Sequence, residues 1–408
     1  MSENLIAVFG GFLLLVIAFL FSTNKRKIRL RVVAAALGLQ IAIGVLVLYL
    51  PGGRAVLAAL SAAVNDLLGF AGAGIDMVFG PLVSDAVGFS FALNVLPVII
   101  FFASLMAVLY HIGVMQWVVR VVGISLHALL ATGRVASLNA AANIFVGQTE
   151  APLIVRPYLA GVTKPQLFAI MTSGLASVAG TVLAAYAQLG VSVEYLIAAS
   201  FMSAPGGLLM AKIIMPDDDK DDAPQNLIEP REKDERHANV IMAAAVGAKD
   251  GLWLALNIGA MLIAFVSLIA LVNGLLGAAG GLVGAEDLTV QKVLGFVFSP
   301  LMIALSVPVS EAQAAGAIVG EKLVINEFVA YLSLTENFEA FSPRSQAILT
   351  IALCGFANLS SIGILLGGLG SLIPDRLGQI AQFGLRAVLA GSLSNLMSAA
   401  IAGALFIP

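Results

Sequence analysis

Apolar residues run along this chain in blocks long enough to cross a bilayer, and polar residues fall either between the blocks or at a few places inside them. A helix needs about 20 mostly apolar residues to span the hydrocarbon core. The blocks at 5–21, 32–50, 91–109, 167–186, 195–214, 252–272, 345–372 and 383–406 predict eight transmembrane helices. Segment 52–82 is amphipathic and interrupted by glycines, which predicts an interfacial helix followed by a loop. Segment 113–130, carrying Arg120 and His127, predicts a helix on the cytoplasmic surface.

Two further stretches have spanning length but the wrong content for lipid. Residues 137–159 hold Asn139, Asn143, Gln148, Thr149, Glu150, Pro152 and Arg156; residues 293–334 hold Pro308, Glu311, Gly316, Lys322, Asn326 and Glu327. A carboxylate at the bilayer centre costs at least ~2.5 kcal/mol, so neither stretch faces lipid. A re-entrant hairpin buried in protein accommodates both. Each is followed by an apolar helix with a polar break, at Ser177, Gly180 and Thr181 in one case and Asn358, Ser360, Ser361 and Gly363 in the other. A plain helix then completes each unit. Hairpin, broken helix and plain helix, entered once from each side, predict an inverted repeat with its ligand site near the midplane between the broken helices. The expected fold is an all-α integral membrane protein of eight transmembrane helices plus two re-entrant hairpins in an inverted repeat, with an interfacial helix.

Composition narrows the class. The 408 residues are 60% hydrophobic and 11% charged, with a mean hydropathy of +1.01, which excludes a water-soluble fold. A net charge of -3 gives no reason to expect nucleic acid as a partner. The single cysteine, Cys354, allows no intrachain disulfide, and His111, His127 and His237 are too scattered for a zinc site. Lys25, Arg26, Lys27, Arg29 and Arg31 follow the first span, which places that loop in the cytoplasm and the N-terminus outside. Charges behind the first apolar run, and no small-residue cleavage pattern, predict a retained span. Eight spans leave both termini outside. The hydrophilic segment 216–249 reads as a cytoplasmic loop.

Candidate chemistry sits in the hairpins and breaks. Gln148, Thr149 and Glu150 put an amide, a hydroxyl and a carboxylate on consecutive residues; they either meet a planar polar ligand or only cap the hairpin. Glu327 is the matching carboxylate of the second unit, and either binds ligand or pairs with nearby Lys322. Asn358 and Ser361, three apart, would share a helix face and with Glu327 grip vicinal hydroxyls, or else bond between helices. Phe356 either covers a ring or is core. Asn143 and Ser177, with the carbonyls of Val146, Ser177 and Val178, offer uncharged oxygens suited to a monovalent cation such as Na⁺.

Taken in order, the segments NIFVGQTEAP (143–152), MTSGLASVAG (171–180), GEKLVINEFVAY (320–331) and GFANLSSIG (355–363) resemble the concentrative nucleoside transporter family, with a likeness running from about residue 93 to 402. The resemblance implies sodium-coupled nucleoside uptake by a homotrimer in a bacterial inner membrane, working as an elevator, with no organic cofactor. It implies that Gln148, Thr149 and Glu150 contact the nucleobase, with Val182 on its apolar side. Glu327, Asn358 and Ser361 match positions that bind ribose hydroxyls, and Phe356 the aromatic near the sugar. The matched Na⁺ ligands are Asn143 and Ser177 through side chains and Val146, Ser177 and Val178 through carbonyls. Keeping both Asn143 and Ser177 favours Na⁺ over a proton.

The expected organisation is a scaffold of 1–112 and 250–276, a first repeat of the transport domain at 113–215, a loop at 216–249 and a second repeat at 287–408. Three other readings stand: a proton-coupled symporter of the same fold, a passive nucleoside pore, and a membrane enzyme using Glu150 and Glu327 as acid and base. The last lacks a nucleophile, a metal cluster and a phosphate loop. Purine or pyrimidine preference is not legible, because it depends on pocket shape.

Overall fold

The computed structural model describes residues 3–83, 88–217, 237–281, 284 and 287–406, and among these it contains helices but no strand. Most of the expected 216–249 loop lies outside the described residues. Two spans open the chain, α1 (Glu3–Leu20) and α2 (Leu30–Gly44), the second running on as a π-helical turn to Tyr49. Next comes α3 (Pro51–Phe79), a continuous helix of 29 residues. This differs from the expected glycine-broken helix and loop. Each helical glycine costs only about 1 kcal/mol relative to alanine, and the intervening Ala and Leu residues outweigh it.

Helix α4 (Leu96–His111), led in by a π-helical turn from Phe91, pairs with α12 (Val240–Gly281). The 42 residues of α12 extend far beyond the expected 252–272, to about 63 Å at 1.5 Å per residue, twice a hydrocarbon core. Its buried stripe is Ala243, Gly247, Gly251 and Ala255. A Cβ at Gly247 would lie 2.5 Å from that of Ala107 and 2.7 Å from the Ala103 oxygen, so the backbones touch. Small residues every fourth position are what lets membrane helices approach this closely.

The remaining helices form two matching units. The first is α5 (Val114–Leu130), α6 (Arg134–Ala142), a tip at 143–150, α7 (Ala151–Ile154) and α8 (Arg156–Leu159), the broken helix α9 (Lys164–Ala176) and α10 (Gly180–Gln188), and α11 (Val193–Ile214). The second is α13 (Val290–Ala304), α14 (Val309–Val324), a tip at 325–326, α15 (Glu327–Glu336), the broken helix α16 (Pro343–Leu353) and α17 (Ser361–Leu372), and α18 (Leu377–Leu405). Details repeat as well as elements. Ala131 (φ 52°) and Ser306 (φ 70°) are the two non-glycine residues with positive φ among those described, and each follows the leading helix of its unit. Thr163 and Ser342 cap α9 and α16 with their side chains, each ahead of a proline in the first turn.

This pairing corrects the start of the second hairpin. Residues 293–304 belong to α13, which meets α14 at 119° and corresponds to α5; the hairpin itself is α14 packed on α15. Helix α1 lies on α13 and α18, and α2 lies on α11. Gly10 is pressed against the Ala304 oxygen, Gln40 donates to the Ser398 hydroxyl (2.9 Å), and Arg344 donates to Asn4 (2.7 Å) and pairs with Glu3 (3.1 Å).

Candidate functional site

Glu327 opens α15, behind Asn326, whose side chain accepts the Val329 amide (3.0 Å) and caps the helix. An acid in the first turn faces the positive end of the helix dipole, which stabilises it in a buried place. The residue is 4% exposed. One carboxylate oxygen accepts the Tyr186 hydroxyl (3.0 Å) and the other the Asn358 amide (3.0 Å). Each oxygen keeps a lone pair for a further donor.

Asn358 lies in the break, not on a helix face shared with Ser361. Its oxygen accepts the Ser361 backbone amide (2.8 Å) and the Ser360 hydroxyl (2.7 Å), so it serves the start of α17 as a cap while its amide holds Glu327. Ser361 in turn accepts a long bond from the Gln148 amide (3.4 Å). Gln148 therefore crosses from the first hairpin tip to the second broken helix, and its own oxygen is buried without a partner. Thr149 packs beside it on Gly368, where a Cβ would come within 2.7 Å of the threonine methyl. Phe356 is half-buried and its amide donates to the Ser177 carbonyl (3.1 Å), tying the two breaks together. Val182 is buried in α10.

Gln148, Glu327, Asn358 and Ser361 thus come together from two hairpins and a helix break. Glu150 does not join them. It is exposed, and it lines a cavity of about 930 Å³ with Tyr110 and Asp250 on the α4 and α12 side. Lys322 does not pair with Glu327; it donates to the Ala352 carbonyl (2.7 Å) and to Asn395 (2.8 Å).

At the first break, Asn143 is 1% exposed. Its amide nitrogen donates to the Asn139 carbonyl (2.9 Å), while its oxygen is buried with no hydrogen-bond partner. The Ser177 hydroxyl donates to Ser173 O (3.1 Å), leaving its own lone pairs open. An orphaned amide oxygen beside an uncharged hydroxyl, at the C-terminal end of a half-helix, fits a monovalent cation.

Sequence profiles described as Na+ dependent nucleoside transporter N-terminus, Nucleoside recognition, and Na+ dependent nucleoside transporter C-terminus match residues 9–82, 92–192 and 195–403. The chain belongs to the concentrative nucleoside transporter family. Among relatives, it is 47% identical to nucleoside permease NupC of Helicobacter pylori, over 98% of this chain and 97% of that one. It is 52% identical to the uncharacterized transporter YutK of Bacillus subtilis, over 97% of each chain. Two solved structures of the transporter CNTnw, 49% identical, superpose with TM-scores of 0.93 for an inward-facing substrate-bound state and 0.96 for an outward-facing variant, each over 99% of this chain and 98% of that one. These relatives are named transporters and permeases, not enzymes, and this family member is a membrane protein.

Tyr186 is the site residue that sequence reasoning missed. It sits at the end of a predicted span, where a tyrosine reads as an interfacial anchor. The available signal was the need of a buried phenol for an acceptor, which only the opposite repeat supplies.

Proposed function

We propose that this concentrative nucleoside transporter carries nucleosides into the cell with Na⁺, by an elevator-type alternating-access cycle. The observation that carries the reading is the buried polar cluster of Gln148, Glu327, Asn358 and Ser361, enclosed between two hairpin tips beside the orphaned oxygen of Asn143. A nucleoside has a flat hydrogen-bonding base and a sugar bearing hydroxyls, and the cluster offers partners to both. Glu327, Asn358 and Ser361 take the ribose hydroxyls, with Phe356 against the sugar. Gln148 and Thr149 take the base, Val182 lines its apolar side, and Glu150 meets it from the cavity edge. The Asn143 and Ser177 side chains and the carbonyls of Val146, Ser177 and Val178 take Na⁺.

Burying so many polar groups at mid-membrane is tolerable only where protein surrounds them, so the site travels as one body. The two repeats with α1 and α2 form that body, and the α4–α12 pair, held by Gly247 and Gly251, is the part it moves against. One Na⁺ entering down 100 mV releases roughly 2.3 kcal/mol, enough for about 50-fold accumulation. The same reading includes a homotrimer in a bacterial inner membrane, and the Lys25–Lys27 charge cluster supports termini that face outward.

Uptake by proteoliposomes in sodium and in choline buffer at fixed pH tests the coupling. Accumulation only with sodium is expected. Accumulation driven equally well in choline by an inward proton gradient identifies the proton-coupled symporter instead, and entry that never exceeds the outside concentration identifies a pore.

A further inference from the structure

Each broken helix ends its first half against the first arm of a hairpin, α9 against α6 and α16 against α14. In both, a backbone bond ties the break to the hairpin: Gly180 N donates to Phe145 O (3.0 Å) in one repeat, and Leu359 N to Leu323 O (3.1 Å) in the other. A helix end of this kind exposes its last carbonyls and the negative pole of its dipole, so in a dry interior it calls for a cation or for donors.

In the second repeat the call is answered from within. Ile351 O accepts Cys354 N (3.2 Å), Leu353 O accepts Gly355 N (2.8 Å), Cys354 O accepts the Asn395 amide (2.9 Å) and Ala352 O accepts the Lys322 ammonium (2.7 Å). Lys322 is 2% exposed, and it also donates to the Asn395 oxygen at 2.8 Å. In the first repeat the end of α9 meets neutral donors, the Ser177 hydroxyl at Ser173 O (3.1 Å) and Gly174 O (3.4 Å), and the C-terminal end of α6, Leu-Asn-Ala-Ala-Ala, brings no cationic side chain; beside them lies the unpartnered oxygen of Asn143, 3.8 Å from where a Cβ of Gly174 would stand. Lys322 lies one residue before Leu323, and Asn143 two before Phe145, so the two occupy nearly the same station on their hairpins. Asn395 joins the stations: while accepting from Lys322 it donates to Ala176 O (2.6 Å), the last residue of α9. Gly355 makes room for this, since a Cβ there would fall 2.3 Å from the Asn395 oxygen.

We propose that the Lys322 ammonium is a resident cation, filling in the second repeat the place that the first repeat keeps for its exchangeable ion, with Asn395 linking the two. The proposal rests on the Na⁺ reading of the Asn143 site given above. It makes Lys322 a positioning residue that sets how many ions travel. One repeat then holds its cation on a tethered side chain, so a single exchangeable cation accompanies each substrate.

The test is uptake of tritiated uridine or adenosine by proteoliposomes, with the charge moved per nucleoside read as current. The wild-type protein is expected to move one charge per nucleoside, with first-order dependence on Na⁺. Two charges would overturn the proposal, because a second exchangeable site would then exist beside Lys322. Lys322→Met, which keeps length but no charge, should lower uptake at least about tenfold, since buried carbonyls lose their donor. Lys322→Ala opens space at the same acceptors, so its uptake should recover with added methylammonium or become second order in Na⁺. Wild-type uptake and ion dependence in Lys322→Met, or a folded Lys322→Ala that responds to neither cation, shows that the lysine only knits helices. If the alanine variant fails to fold, the wild-type charge count and the methionine variant still decide. Sodium-independent uptake by the wild-type protein would instead bring down the coupling reading, and this proposal with it.

Discussion

The phenol of Tyr186, in the second half of the first broken helix, donates a 3.0 Å hydrogen bond to Glu327, which opens the final arm of the second hairpin. The carboxylate at the heart of one repeat is thus held by the other. Around this bond the Tyr186 ring packs on Phe328 (centroids 4.7 Å apart) and Tyr331 (4.4 Å), which fixes the phenol's direction.

Glu327→Gln keeps the shape of the site and removes the charge. Hydrogen bonds to charged groups are worth about 1.5–3 kcal/mol, so a fall in kcat/KM of roughly tenfold or more is expected for nucleoside uptake. Unchanged uptake would remove Glu327 from the sugar site.

Tyr186→Phe leaves Glu327 with Asn358 as its hydrogen-bond partner. The expected effect is smaller, about 1 kcal/mol in substrate affinity, read as a KM several-fold higher with sodium dependence unchanged.

Asn143→Ala deletes the orphaned oxygen without touching the sugar cluster. The half-saturating Na⁺ concentration should rise by about tenfold, the loss of roughly 1.4 kcal/mol of ion binding, while uptake at saturating sodium stays near normal. Normal sodium dependence in this variant would count against the cation assignment.

Gly247→Val inserts a side chain where Ala107 and Ala103 already touch the backbone. Overpacking of this kind costs about 1–3 kcal/mol, so the melting temperature in detergent should drop while affinity in the surviving fraction is preserved.

Ala131→Gly relieves a left-handed turn residue with φ 52°. An L-residue pays about 1–2 kcal/mol there, offset in part by the entropy glycine loses on folding. A small rise in melting temperature is expected, and a fall would show that the alanine methyl is held by its surroundings.

Much of the architecture was legible because a bilayer punishes polar residues so heavily. The breaks at 177–179 and 354–360 stood out as polar interruptions in apolar blocks, and α9, α10, α11 and α18 fall close to where the hydrophobic pattern set them. The continuity of α3 was hidden by its glycines, which lower helix propensity without forbidding a helix. The start of hairpin 2 is hidden in the sequence because α13 is more apolar than either arm of that hairpin; Pro308, just ahead of α14, is the local marker of the true start. In the tip of hairpin 1, the sequence presents neighbouring residues as one patch. A turn aims consecutive side chains in different directions, so Gln148 reaches Ser361 while Glu150 faces the α4–α12 cavity. The partners of Lys322 and Asn395 were beyond reach, because contacts separated by 73 and 219 residues leave no local trace.

That Asn395 closes over Ala176 bears on biogenesis. Helix α18 leaves the ribosome after every other helix described, yet it supplies the amide that finishes the first repeat. Early segments must therefore wait in the membrane with polar groups unsatisfied until α18 has been made. A chain arrested before α18 should then be a substrate for membrane quality control, not a half-sized carrier.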